Sequence, residues 1–154
     1  MKTMRNVVRQ LLRRRIVALA VPAFAADTGS ITITNPQGDH TYTAYKIFDV
    51  TYTADEVNYS YTISDTDPAY STVKAYADVP TNGLTLTAVG KTGKYNVSID
   101  AAAFSAASFA QHLKDNVGSL GAGTAFTQVG NTMKASGLAP GYYFVSGTSG
   151  TVCE

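Results

Sequence analysis

Residues 41–53 read TYTAYKIFDVTYT (Thr41 to Thr53), and their alternation marks one long β-strand. Every second position gives Tyr42, Ala44, Lys46, Phe48, Val50 and Tyr52 on one face, and Thr41, Thr43, Tyr45, Ile47, Asp49, Thr51 and Thr53 on the other. The first set is the greasier, so it is expected to be the buried face, with Lys46 set into it. A buried lysine must snorkel, pair with an acid or lose its charge, and a neutral amine is a nucleophile. Lys46 is therefore the first candidate residue.

The chain of 154 residues is long enough for one domain with a real core. Its formal charge of +1 conceals an asymmetry: six of the twelve basic residues lie before Ile16, with no acid among them. From Ala26 onward six lysines stand against eleven acids and there is no arginine, a net charge of −5. Phosphate neutralisation needs a basic patch, so nucleic acid is not an expected partner.

The basic start, the apolar stretch Ile16 to Val21 and the small-x-small run Ala23-Phe24-Ala25 have the order of a secretory signal peptide, placing cleavage between Ala25 and Ala26. Residues 1–25 are read as that signal and 26–154 as one exported domain; a basic amphipathic N-terminal helix is the alternative. No later stretch approaches the roughly 18 apolar residues of a membrane span, so none is expected. The single cysteine, Cys153, has no internal partner, and an extracellular fold must then hold without a disulfide. The ending Gly150-Thr151-Val152-Cys153-Glu154 carries no turn or cap and reads as a stop inside a strand.

The remaining elements follow from period and punctuation. Ser30 to Thr34 is a short strand closed by the turn Asn35-Pro36-Gln37-Gly38-Asp39. Tyr59 to Ile63 is expected to form a hairpin with the long strand. Asp67-Pro68 starts a short helix, Ala69 to Ala77, with Asp67 as its N-cap. Leu84 to Val89 and Tyr95 to Ile99 are expected to pair across Gly90-Lys91-Thr92-Gly93-Lys94. Asp100 caps a longer helix, Ala101 to Val117, with Ala102, Ala106, Phe109, Leu113 and Val117 as its apolar stripe. Phe126 to Ala135 and Gly141 to Val145 complete about eight strands, which points to a mainly β sandwich with one inserted helix and a short second one.

Chemistry is sparse in this pattern. His40 and His112 are far apart with no cysteine or histidine neighbour, so neither a metal nor a cofactor is expected. No nucleophile elbow occurs, and the paired acids Asp55-Glu56 and Asp65/Asp67 fall in turns, which argues against an enzyme. The glycine-rich loop Gly118 to Thr124 follows a helix and lacks the lysine of a phosphate loop. Tyr59, Tyr61, Tyr142 and Tyr143 could form a stacking platform for a glycan, or pack in the sheets with their hydroxyls at the rim.

Four stretches in order resemble the N-terminal domain of the sortase-assembled major pilins of Gram-positive bacteria, an isopeptide-forming fimbrial family. They are Gly29 to Ile33, Tyr42 to Val50, Asp67 to Ser71, and Pro140 to Val145 running on to Cys153. The resemblance implies an immunoglobulin-like, collagen-adhesin B-type sandwich. It also implies a place at the cell surface or wall, a structural role in subunit stacking and adhesion, and as partners neighbouring pilin subunits, a sortase, and a host glycan or matrix protein. The family's pilin-motif lysine and LPxTG signal are absent here, so the chain reads as truncated at its C-terminal end, leaving an open edge prone to self-association. Relatives crosslink a lysine to an asparagine beside an acid. Here the first strand has no lysine and no acid lies near Val145, so no such bond is expected and Lys46 is left to snorkel or meet a carboxylate. The alternative function is a secreted carbohydrate- or matrix-binding module.

Overall fold

The long strand is present as β2 (His40–Tyr52), and it is the axis of the molecule. The computed structural model describes residues 28–38, 40–52 and 59–149. Around β2 the other elements follow in chain order: β1 (Gly29–Ile33), β3 (Tyr59–Ser64), α1 (Tyr70–Ala77), β4 (Leu84–Ala88), β5 (Lys94–Ile99), α2 (Ala106–Asp115), β6 (Thr124–Ala125), β7 (Thr127–Val129), β8 (Thr132–Leu138) and β9 (Gly141–Ser149). Every pairing is antiparallel. The larger sheet runs β4-β5-β3-β2, with β6 on the same side of β2 as β3 and β9 along its other side; the smaller is β1-β8-β7. The described residues are thus mainly β with two α-helices, an arrangement consistent with a sandwich.

Two cores lie on opposite faces of the large sheet. On one face α1 and α2 close over Ile47, Phe48, Ile63, Leu84, Val73, Tyr76, Phe109 and Leu113. On the other the small sheet covers Ala44, with Phe126, Ala135 and Leu138 buried and Tyr42, Tyr143 and Val145 packed around them. Strict alternation cannot put both Ile47 and Phe48 in the same core. The ladder to β9 shows how it is done: Lys46 pairs with Tyr143 and Phe48 with Tyr142, so Ile47 is an extra residue in a β-bulge. The bulge resets the alternation and turns Phe48 and Val50 onto the helical face, while Asp49 joins the face of Lys46.

The expected burial of Lys46 is therefore corrected. Its side chain is 39% exposed, whereas Ile47, expected on the wetter face, is 2% exposed. The small sheet covers only the N-terminal half of β2, and Lys46 stands where that cover ends.

The β2–β3 and β4–β5 hairpins form as the alternation predicts, in the registers Asp49 to Thr62 and Leu84 to Ile99. Other boundaries move. The predicted strand 126–135 is instead a hairpin, β7 and β8, because Gly130 adopts φ +60° and Val129 pairs with Thr132 across a two-residue turn. The long helix is shorter than expected: Asp100 caps a preceding turn by accepting from the Ala102 N–H at 3.0 Å, and Ser105 is the true N-cap, accepting from Ser108 N at 3.2 Å. Asp67 does not cap α1, which starts at Tyr70; its carboxylate accepts the Ser64 N–H at 2.7 Å and fixes the turn before it. Gly83, φ +67°, lies so close to the turn at Ala103 and Phe104 that a methyl group there would meet Phe104 N at 2.5 Å.

Candidate functional site

Tyr59, Tyr61 and Tyr142 converge because β3 and β9 flank β2 and all three residues project onto its helical face. Tyr59 and Tyr61 meet edge to face at 5.7 Å and 74°, and Tyr61 and Tyr142 at 6.1 Å and 81°. Phe48, brought to this face by the bulge, lies 5.6 Å from Tyr142 and 6.2 Å from Tyr61, ring centre to ring centre, and stacks on Phe109 of α2 at 6.1 Å and 3°. Edge-to-face and stacked rings of this kind add stabilisation beyond simple burial.

Phe48, Tyr61, Tyr142 and Phe109, with Val97, Ile99 and Phe104, line an apolar cleft of about 140 Å³. Ile99, 51% exposed, and Tyr142, 38% exposed, bring it to the surface, and Tyr59, packed on Tyr61 beside it, is 64% exposed. Neighbouring tyrosine rings stand at steep angles, so they present an apolar notch with tyrosine edges rather than one flat stacking plane.

Tyr143 does not join this cluster. As the next residue of β9 it faces the small sheet, where its hydroxyl donates to the Ala139 carbonyl at 2.7 Å and burial pushes its phenol up from the ordinary value. Beside it, Lys46 Nζ donates to Asp49 Oδ1. In an uninterrupted strand residues three apart point to opposite faces; the bulge puts this pair on one face. Gly141, opposite Asp49, makes room first for the Phe48 carbonyl oxygen, which a methyl there would meet at 2.5 Å, and also for the lysine stem, whose Cδ would lie 3.1 Å away.

The Asp49 hydrogen bond, aided by its charge and opposed by partial burial, holds the Lys46 amine above its usual range. It is an ammonium at neutral pH, unsuited to nucleophilic attack. Of the fates open to Lys46 in the sequence, pairing with a carboxylate is the one observed.

His112, although on a helix with much exposed surface, turns inward: Nε2 donates to the Thr72 carbonyl at 2.9 Å and the ring lies 5.2 Å from Tyr76, tying α2 to α1. Among the described residues no group of three potential metal ligands occurs, and no helix is long and apolar enough to cross a membrane. Ala25, Ala26 and Cys153 lie outside the described residues.

Sequence reasoning missed Phe48, Val97, Ile99, Phe104 and Phe109 as neighbours of the tyrosines. Alternation on β5 signals Val97 and Ile99, but the association with Phe48 depends on the bulge, which the alternation of residues 41–53 does not disclose.

A second feature is the outer edge of β9. Its inner edge pairs with β2 from Thr148 opposite Thr41 to Gly141 opposite Asp49, and among the described residues no strand pairs with the other. Grooves lie on either side of this edge. One, about 480 Å³, runs between Thr28–Ile31 and Leu138–Tyr143; the other, about 250 Å³, lies between Phe144–Gly147 and Ala107, Ala110, Gln111 and Lys114 of α2.

Comparison with protein-family models, curated proteins and solved structures found no match.

Proposed function

We propose that this chain is a structural, non-enzymatic domain of a cell-surface fimbria, exported by its N-terminal signal and acting by contact with neighbouring subunits. The observation that supports this reading best is the meeting of the four pilin-like stretches. β2 and β9 are the most extensively paired strands, β1 forms the sheet packed on them, and the Asp67 turn leads into the helical cover. Stretches far apart in sequence thus build one frame, which on this reading is an immunoglobulin-like sandwich of the collagen-adhesin B type.

Antibodies against residues 28–149 test the proposal. They are expected to label fibres on the surface of producing cells, and the mature protein is expected to begin at Ala26. Label confined to the cell interior, or a retained Met1, overturns it.

The open tyrosine notch favours a second reading, a secreted carbohydrate- or matrix-binding module. Specific binding on a glycan or matrix-protein array, abolished by Tyr59→Ala or Tyr142→Ala with the fold intact, would select this reading.

A further inference from the structure

We infer that two copies of this chain join edge to edge through β9, antiparallel about a two-fold axis at Val145. This inference stands on the edge strand itself and is independent of the fimbrial reading. The strand reads GYYFVSGTS, with no charged residue and no proline, the devices that ordinarily protect an exposed edge. Along its outer edge the backbone N–H and C=O groups have no strand to receive them among the described residues. An added strand would satisfy that row, as in other cases of strand addition.

The occupant is specified by the order of side-chain sizes. Tyr142, Tyr143 and Phe144 precede Val145, and Ser146, Gly147 and Thr148 follow it. In an antiparallel pairing centred on Val145, Tyr142 faces Thr148 of the second copy, Tyr143 faces Gly147, and Phe144 faces Ser146. Each large side chain meets a small one, and each pair shares a face of the sheet. The groove between the small half of β9 and α2 supplies the space. It lies on the face of Phe144 and Ser146, and its helical wall is Ala107, Ala110, Gln111 and Lys114, so a second copy's Phe144 enters it beside Ser146 and over the two alanines, with Gln111 and Lys114 at its polar side. A two-fold contact of this kind uses the same patch on both copies and closes at a dimer.

Sedimentation of the full chain over a concentration series, with hydrogen exchange on the same samples, tests the inference. The expected result is a monomer–dimer equilibrium in which amides of residues 141–149 gain protection as dimer forms. Ser146→Lys, which obstructs the seat of Phe144, is expected to weaken association about tenfold or more. Thr148→Lys, at an exposed position facing Tyr142 of the second copy, is expected to do the same and guards against a folding defect in the first variant. The inference is overturned by any of four results. These are a monomer up to about 1 mM, a dimer in which β9 gains no protection, undiminished association in both folded variants, or open-ended polymers without a dimer. A monomer whose β9 amides are protected at every dilution overturns it too, because the chain's own residues then cover the edge.

Discussion

Replacing Ile47 and Lys46 separately by alanine tests the bulge that organises both faces of β2. Regular alternation makes Lys46 the buried residue and Ile47 the wetter one; the structure reverses them. Ile47→Ala removes an ethyl and a methyl group from a site that is 2% exposed, packed within the helical core. At about 0.8 kcal/mol per buried carbon the transfer loss is about 2.4 kcal/mol, and the cavity left behind raises the total to about 3 kcal/mol.

Lys46→Ala removes an ion pair whose side chains are 39% and 44% exposed, so solvent screening limits the loss to under about 1 kcal/mol. The two variants should therefore differ by about 2 kcal/mol. With a urea slope of about 2 kcal/mol per molar, their unfolding midpoints separate by about 1 M, Ile47→Ala being the lower. Equilibrium urea unfolding followed by circular dichroism measures this directly, with an unchanged slope as the check that the denatured state is the same. If Lys46→Ala costs as much as Ile47→Ala, within about 0.5 kcal/mol, or more, the bulge and both face assignments are wrong.

Phe109→Ala, which empties a buried site touching Phe48, Tyr76 and Phe104, is expected to cost about 3–5 kcal/mol and to reduce the near-ultraviolet dichroism of the aromatic cluster; a loss below 1 kcal/mol contradicts the packing. Gly83→Ala forces a methyl against Phe104 N at a positive φ, so calorimetry should show a destabilisation of about 1–3 kcal/mol, and an unchanged melting temperature would refute the close approach. Alkaline pH should destabilise the fold. The Asp49 hydrogen bond raises Lys46, burial raises Tyr143, and the Tyr95 hydroxyl together with desolvation pushes Tyr70 up to about 12. Each group binds its proton more tightly when folded, so its contribution is fully present below the ordinary values of 10.0 and 10.5 and is lost as pH rises through the folded ones. Urea midpoints should hold between about pH 8 and 9 and fall by about pH 11, and a midpoint that rises over that interval contradicts these shifts.

Much of the architecture was legible locally. Period-two runs located β1, β2, β3, β4 and β5, the run Gly141 to Val145 after the Pro140-Gly141 turn located β9, and turn residues announced the β4–β5 hairpin, because strand alternation and positive-φ glycines are short-range properties. The Gly130-Asn131 pair was an available two-residue turn signal that a reading of 126–135 as one strand passed over. Helix α2 began later than its apolar stripe suggested because two successive polar residues, Asp100 and Ser105, each cap a turn, and only the path of the backbone distinguishes them.

Of the candidate site, the sequence by itself determined the supply of tyrosines, their positions on two strands, and the presence of a lysine three residues before an aspartate. Tertiary structure decided which tyrosines meet: Tyr59, Tyr61 and Tyr142 share the helical face, while Tyr143, one residue on, faces the other core. It also decided that Lys46 reaches Asp49 and that Ile47 and Phe48 are both buried. Tyr142 and Tyr143 part by the ordinary alternation of β9, whereas the Lys46 to Phe48 stretch is set by the bulge. Two different layers cover the two faces of β2, and one bulge, visible only in the register with β9, chooses which layer Lys46, Ile47, Phe48 and Asp49 enter.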